Sequence, residues 1–394
     1  MMLNNSDVGV PYICSALQFR CNILVGLLVE AYMKEGISVI IPNLNGEKVL
    51  RFCLQSLVNQ SLEKTKYEII VVDNNSNDSS IDICQSFVQK NPNISIQCVS
   101  LPKNVGYGNA INIGAKKAKY QYILATNNDI IFHPYYLEIL LSTVQSARKI
   151  DKRIVGAVGL HFYYPEVNCI NSAGGILSLV GGHYRYYKIC IDINNYMKFI
   201  KNFVLKKQKV WSYTGFGTGA GLLIDKEVFM KLEGFHKLYF AGVEEFDLGL
   251  LLNLAGYKVI FVPSAVFYHR ESFTLGRRGI FDANKIRYYL YGNFFYVLTL
   301  IQGIDKVLGL LGLIVFSLIL ILRSLLTNDR LLTRSVIDVY KFMFSHIFRN
   351  SVHQRKVALK WINYFRYKDV KKNLRSYSAW WSLRDIIQKE ISGR

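Results

Sequence analysis

The sequence is poor in acidic residues: 28 Asp and Glu stand against 48 Lys and Arg, which gives a formal net charge of +20 over 394 residues. This balance indicates a polyanionic partner, namely nucleic acid, an anionic membrane surface or a phosphorylated substrate. No recognisable nucleic-acid-binding module occurs along the chain, which argues against DNA or RNA as the partner. A hydrophobic share of 51% excludes a disordered or fibrous protein and allows a large core.

Closely spaced cysteine pairs are also absent. The seven cysteines are odd in number, lie far apart and include no CxxC motif. This pattern predicts neither a zinc site nor a disulfide framework and favours a reducing cytosol. The first 32 residues lack the basic segment and cleavage site of a signal peptide, and their apolar stretch 23–29 is too short to span a bilayer. We expect residues 1–34 to be a poorly ordered extension or to precede the natural start.

Between residues 37 and 160, short β-branched apolar runs alternate with polar loops and helical periodicity. The runs at 37–41, 68–72, 94–99, 122–125 and 154–160 predict strands, with helices beginning near Glu47, Ser79, Gly108 and Pro134. This alternation predicts an α/β fold with a mostly parallel central sheet. Ligands of such sheets bind beyond the carboxyl ends of the strands, so the loops that follow the strands are expected to carry the chemistry.

The first three of these loops are suited to a nucleotide. The loop PNLNG, from Pro42 to Gly46, is either an ordinary strand-to-helix turn or a source of amide groups for a ligand. Asp73 ends a buried strand and could accept hydrogen bonds from a base or a ribose. The segment KNVGYGNAIN, 103–112, places glycines before a helix, which suits the close approach of a phosphate. Ile111 stands where a dinucleotide-binding fingerprint needs glycine, which weakens a dehydrogenase interpretation.

Acidic groups and a histidine follow later strands. Asp129, in the sequence TNND, could bind a divalent cation or cap the next helix. The motif EEFD, 244–247, opens a helix, where carboxylates interact favourably with the helix dipole. Alternatively, the crowded carboxylates repel one another and raise the pKa of at least one of them, which suits a general base. His269 is either structural or a metal ligand.

The chain changes character after residue 287. The segments 288–304 and 307–322 contain no charged residue, and only Asp305 and Lys306 separate them. They could form a re-entrant hairpin, a tilted short span or two interfacial helices; the alternative is a buried helical hairpin of the soluble domain. Basic and aromatic residues fill the tail beyond Arg323, and such residues remain on the cytoplasmic side near anionic headgroups. We therefore predict an extension at 1–34, a catalytic domain at 35–286 and a membrane-associated helical region at 287–394.

Taken in order, six segments resemble the family 2 inverting glycosyltransferases with the glycosyltransferase-A fold, especially their rhamnosyltransferase-like and galactofuranosyltransferase-like branch. They are SVIIPNLNG, IIVVDNNSND, KNVGYGNAINIGAKKA, ILATNNDI, TGAGLLI and GVEEFDLGLLLNLAGYKVIFVPSAVFYH. Each motif is weak alone, but the ordered series covers about 37–269. The resemblance implies a single glycosyltransferase-A domain that moves a sugar from a nucleotide-diphosphate donor, UDP- or dTDP-linked, to a glycan or lipid-linked acceptor at the cytoplasmic face of the membrane. It also implies a role in the biosynthesis of polysaccharide of the cell envelope.

The same resemblance implies residue roles. Asp129 and His269 would bind Mn²⁺ or Mg²⁺. The nucleotide sugar would be bound by Pro42, Asn45, Asp73, Asn104, Gly106, Asn128, Gly219, Ala220 and Glu244. The acidic motif of the family is usually Glu-Asp-x-Asp, whereas Glu245 stands here in place of the first Asp, so the catalytic base is either Glu245 or Asp247. This departure leaves a second hypothesis, a catalytically weak nucleotide-sugar-binding subunit of a membrane glycan-assembly complex.

Overall fold

The structure is a computed structural model that describes residues 34–165, 169–175, 177, 189–190, 210–240, 242–270 and 283–359. Residues 1–33, most of the segment 176–209 and the basic tail beyond 359 lie outside the described residues. The predicted N-terminal extension therefore lies outside the described residues apart from its last residue, Lys34, which begins the first strand.

A single mixed sheet forms the centre of the described part of the chain. Its main path runs in the order β3, β2, β1, β4, β10, β6, β11, β5. The strands are β1 (Lys34–Asn43), β2 (Tyr67–Asp73), β3 (Ser95–Ser100), β4 (Tyr120–Thr126), β5 (Ile130–Phe132), β6 (Ile154–Tyr163), β10 (Gly221–Asp225) and β11 (Lys258–His269). Three short strands lie off this path: β7 (Cys169–Ser172), β8 (Ile189–Cys190) and β9 (Ser212–Thr214).

The direction of the strands agrees with the predicted α/β fold. β3, β2, β1 and β4 are mutually parallel, as are β6 and β11, whereas β10 runs antiparallel between β4 and β6. All five strands predicted from the apolar runs are present. The prediction of a mostly parallel central sheet is therefore confirmed.

Helices cover both faces of the sheet. They are α1 (Leu50–Val58), α2 (Ser80–Lys90), α3 (Tyr107–Lys117), α4 (Tyr136–Ile150), α5 (Lys226–Lys231) and α6 (Glu244–Leu254). Alternate residues of a strand point to opposite faces, so Val39 and Ile41 pack in one hydrophobic cluster with α1 and α4, while Ile40 packs in the other with α3 and α6. Both faces of β1 are therefore buried, as its continuous apolar run predicts.

Between residues 283 and 359, the last described range, four further helices follow the sheet: α7 (Ala283–Leu300), α8 (Gly303–Thr327), α9 (Arg330–Met343) and α10 (His346–Ala358). The first apolar segment falls largely in α7, where Leu290, Phe294 and Val297 are at most 1% exposed and join the same cluster as Ile40. For this segment the buried-helix alternative holds. The expected boundary at 287 falls within α7, and the division of the chain at that point stays a prediction.

The second apolar segment falls in α8, which behaves differently. Its buried stripe consists of Asp305, Gly309, Leu313, Ser317, Leu320 and Ser324, and most of its exposed residues are apolar. Among the described residues, α8 is the one helix that is long enough and apolar enough to cross a membrane. Its neighbour α9 exposes Arg330, Arg334 and Lys341.

The cysteine prediction was wrong. Cys84 of α2 and Cys98 of β3 form a disulfide, with Cα atoms 6.3 Å apart, and Cys169 is also disulfide-bonded. The pair forms because α2 packs over β3, and this contact brings two cysteines of unremarkable spacing within bonding reach. Sequence spacing does not reveal such a contact.

Candidate active site

Three polar side chains form a buried network where β1, β2 and β4 end. Asn43 donates a hydrogen bond from Nδ2 to Oδ1 of Asp73 at 2.9 Å, and Asn128 donates from Nδ2 to Oδ1 of Asn43 at 2.8 Å. Each of the three residues is less than 5% exposed. Asn43 and Asp73 are also register partners in adjacent parallel strands, which explains their contact. Sequence analysis did not single out Asn43, although its position at the end of a buried strand was a usable signal.

The loops after β1 and β2 brace one another. Asn45 has a left-handed backbone (φ 48°); its N–H donates to Ser76 Oγ at 2.9 Å and its Oδ1 accepts from the N–H of Asn77 at 2.9 Å. Asp73 Oδ2 accepts from the N–H of Ser76 at 2.9 Å. Asp73 and Asn45 therefore fix the shape of the rim formed by the two loops that follow β1 and β2.

The glycine-rich segment 103–112 packs closely against Phe240, which lies shortly before α6. Gly106 has φ +84°, and its N–H donates to Asn104 Oδ1 at 2.9 Å. The next N–H, of Tyr107, donates to the carbonyl of Phe240 at 3.0 Å. A Cβ on Gly106 would lie 2.5 Å from that carbonyl oxygen, so only glycine fits this position.

Asp129 and His269 meet although they are distant in sequence. Asp129 Oδ1 lies 3.0 Å from His269 Nε2, and Asn127 Nδ2 lies 3.3 Å from the same nitrogen. The contact arises because β11 pairs antiparallel with β5, which places His269 opposite Ile130. The N-cap of α4 is Tyr135, so Asp129 does not cap this helix.

The Asp129 and His269 pair fits a divalent cation that takes its remaining ligands from elsewhere. Its two donor atoms converge and are largely buried. No group of three or more His, Cys, Asp or Glu residues that could hold a metal occurs within the described ranges. A hard cation accepts one carboxylate and one imidazole when diphosphate oxygens and water complete its shell.

A second histidine lies beside this pair and was missed by sequence analysis. The ring of His161 is 5.0 Å from that of His269 and stacks on Phe267 at 4.7 Å. Burial, reinforced by the neighbouring His269, holds the pKa of His161 well below its usual range. His161 is therefore a neutral, buried ring behind the Asp129 and His269 pair.

The acidic motif separates into two environments. Glu245 is partly exposed, and its Oε1 accepts a hydrogen bond from the N–H of Gly219 at 3.2 Å. The carbonyl of Gly219 accepts from the hydroxyl of Tyr107 at 2.5 Å. The carbonyl of the next residue, Ala220, accepts from Thr126 at the tip of β4 at 2.8 Å. Glu245 is thus tied to the strand-end edge that carries the other candidates.

Glu244 and Asp247 are buried instead. Burial and the adjacent Glu245 carboxylate raise the pKa of Glu244 to about 8, as the crowding of carboxylates predicts. Asp247 is 2% exposed; Oδ1 accepts from the Tyr239 hydroxyl at 2.7 Å, and Oδ2 forms an ion pair with Arg355. Neither Tyr239 nor Arg355 stood out in the sequence, because each is a single residue of a common type.

Family models match most of the described chain. The model of Glycosyl transferase family 2 matches residues 38–232, and that of Glycosyl transferase family group 2 matches residues 183–348. The chain belongs to family 2 of the glycosyltransferases. This glycosyltransferase has the predicted glycosyltransferase-A fold, and both the family and the enzyme class inferred from the motif series are confirmed.

Individual relatives are similar over limited spans. A poly(ribitol-phosphate) beta-glucosyltransferase of Bacillus spizizenii is 42% identical over 96 residues, which cover 24% of this chain and 14% of that protein. An N-acetylglucosaminyl-diphospho-decaprenol L-rhamnosyltransferase of Mycobacterium tuberculosis is 25% identical over 221 residues, 53% of this chain and 68% of that protein.

Among solved structures, GalNAc-T7 with UDP, GalNAc and Mn²⁺ matches with a TM-score of 0.50 and 18% identity, over 65% of this chain and 48% of that one.

Proposed function

We propose that this glycosyltransferase is metal-dependent and inverting, and that it transfers a sugar from a nucleotide-diphosphate donor, UDP- or dTDP-linked, to a hydroxyl of a glycan or lipid-linked acceptor. The observation that carries this proposal is the position of two chemically different groups on one sheet edge. The Asp129 and His269 pair lies after β4 and β11, and Glu245 is tied through Gly219 and Ala220 to the tip of β4.

The donor would occupy the rim formed by the loops after β1, β2 and β4. Asp73 and Asn128, joined by Asn43, stand at its centre. The residues proposed to contact the nucleotide sugar are Pro42, Asn45, Asp73, Asn104, Gly106, Asn128, Gly219, Ala220 and Glu244. Glu244 keeps its proton at neutral pH because its pKa is raised, so it would meet a donor as a neutral hydrogen-bonding group.

Asp129 and His269 would bind Mn²⁺ or Mg²⁺, and a bound cation offsets the charge that develops on a leaving diphosphate. The two residues hold each other in position at 3.0 Å, and Asn127 restrains the imidazole. The amides of Asn127 and Asn128 add polarity at the same strand tip without adding a second negative charge.

Glu245 is the proposed base. Its carboxylate is partly exposed and accepts one hydrogen bond from Gly219, whereas both oxygens of Asp247 are already engaged in the interior. The carboxylate would take the proton of the acceptor hydroxyl as that oxygen attacks the anomeric carbon and the diphosphate leaves from the opposite face. Inversion of configuration follows from this single displacement.

The same proposal places the enzyme on a membrane, at its cytoplasmic face. The exposed apolar residues of α8, such as Leu311, Val315 and Leu318, are 53%, 54% and 59% exposed, and α9, which packs against α8, exposes basic residues. An apolar face flanked by basic side chains suits anionic lipid headgroups. A lipid-linked acceptor would be delivered at that surface.

The test is transfer by purified full-length protein incubated with UDP-, dTDP- and GDP-sugars, with and without Mn²⁺, with the anomeric configuration of the product read by NMR. Asp129→Asn and Glu245→Gln should each lower turnover by at least about 100-fold. Glu227→Gln, an exposed carboxylate on α5, serves as the matched control and should leave turnover unchanged. Retained configuration, or full turnover in both site variants, would refute the scheme. Donor binding without any transfer would favour the non-catalytic subunit instead.

A further inference from the structure

The C-terminal helices reach the acidic motif through one buried ion pair. Nη2 of Arg355, on α10, contacts Oδ2 of Asp247, on α6, across 108 residues of sequence. The two side chains are 4% and 2% exposed. The guanidinium also lies over the ring of Phe295, 5.4 Å from its centroid. Arg355, near the end of the described residues, therefore contacts α6, the helix that begins with Glu244 and Glu245.

Stability alone does not explain this arrangement. Among the described residues, Nε and Nη1 of Arg355 have no hydrogen-bond partner, so only part of the guanidinium's desolvation is compensated. A buried ion pair with incomplete hydrogen bonding is often no more stable than an apolar pair of similar volume, and its replacement by apolar residues can stabilise a fold. The ion pair with Arg355 fixes the orientation of the Asp247 carboxylate, which apolar packing alone would not fix.

That direction governs Glu245 because both residues lie in the first turn of α6. Residues two positions apart in an α-helix are separated by about 200° around its axis, so Glu245 and Asp247 point to opposite sides of α6. When Asp247 is held on the inner side by Arg355 and Tyr239, Glu245 is turned toward Gly219.

The start of this helix needs such an anchor. Val243, its N-cap, has φ 89°, a left-handed conformation that is strained for a β-branched residue. The N–H of Asp247 donates to the carbonyl of Val243 at 3.0 Å, which closes the first turn. The ion pair holds the residue that completes this strained turn.

We propose that Arg355 is a positioning residue: from α10, it fixes the first turn of α6 through Asp247 and thereby aims Glu245 at the acceptor side of the site. This inference rests on the proposed role of Glu245 as the base. It makes the C-terminal helices part of the catalytic apparatus as well as a membrane attachment.

The experiment measures kcat, the donor KM and thermal unfolding for Arg355→Met, Arg355→Lys and the double variant D247N/R355M, beside Glu245→Gln. Arg355→Met should lower kcat roughly 10- to 100-fold, because a displacement of about 1 Å has that cost, while the donor KM changes by less than about threefold. Arg355→Lys keeps the charge and should recover part of the loss. D247N/R355M leaves no unpaired buried charge, so it should unfold close to the wild-type temperature while kcat stays low.

Arg148→Met is the matched control, since Arg148 pairs with Asp225 at 2.7 Å at the opposite end of β10. It should keep the wild-type kcat at temperatures where it is folded. Wild-type kcat in D247N/R355M, or losses of kcat that merely follow the unfolding temperature in every variant, would overturn the positioning role while leaving Glu245 as the base. Full turnover in Glu245→Gln would instead overturn the proposed function.

Discussion

Leu290 and Leu318 undergo the same substitution with opposite expected consequences. Leu290 lies in α7 and is fully buried, whereas Leu318 lies in α8 and is 59% exposed. Leu290→Ala should lower the free energy of unfolding by about 2–5 kcal/mol, since a buried leucine leaves a cavity. Leu318→Ala should change it by no more than about 0.5 kcal/mol.

Binding to lipid should show the reverse order. Leu318→Ala removes ~3 carbon groups from the lipid hydrocarbon, and each contributes ~0.8 kcal/mol to the free energy of binding. Scaled by the 59% exposure of Leu318, the loss of binding free energy is ~1.4 kcal/mol, which lowers the partition coefficient about tenfold. Leu290→Ala should leave the partition coefficient unchanged in protein that remains folded. Urea unfolding in mild detergent measures the first quantity, and flotation with vesicles containing anionic lipid measures the second. Equal effects of the two substitutions in either assay would refute the assignment of α7 to the core and of α8 to the membrane face.

Two further predictions concern the site itself. The raised pKa of Glu244, about 8 against 4.5 for an ordinary glutamate, means that the folded state keeps a proton the unfolded state has lost, so stability should fall as pH rises from about 4.5 to about 8. Glu244→Gln cannot ionise and should lack this slope in urea midpoints taken at pH 5, 6.5 and 8; parallel curves would contradict the burial of the charge. Gly106→Ala should cost about 1–3 kcal/mol, because its φ is +84° and the new Cβ would meet the Phe240 carbonyl at 2.5 Å. Gly312→Ala in α8, where nothing lies within 4 Å of the new Cβ, should be neutral or stabilising, and an equal loss in both variants would contradict this difference.

Several features could be predicted from the sequence because their physical cause is local. The apolar runs that became β1, β2, β4 and β6 are β-branched and buried on both faces, and this pattern needs no knowledge of the partners. The polar loops at the strand ends follow from the same pattern, because parallel strands bring their carboxyl ends to one edge. The crowding of carboxylates in EEFD likewise predicts a raised pKa, although burial is the larger cause of the raised pKa of Glu244 and the adjacent Glu245 carboxylate the smaller one.

Other features depend on contacts between distant segments. The apolar segments of α7 and α8 are alike in lacking charge, yet the core cluster takes up one and leaves a face of the other exposed, because burial depends on what packs against a helix. The disulfide of Cys84 and Cys98 depends in the same way on the packing of α2 over β3.

The site shows the same division. From sequence, Asp129 could be a helix cap or a metal ligand, and the 244–247 carboxylates could interact with the helix dipole or act as functional groups. The pairing of β11 with β5 brings His269 to Asp129, and the packing of α10 brings Arg355 to Asp247. The sequence by itself determined which chemical groups stand at the strand ends, because local periodicity sets where strands stop. Only the tertiary structure decided which carboxylate is partly exposed and which is buried, because that depends on side chains more than a hundred residues away.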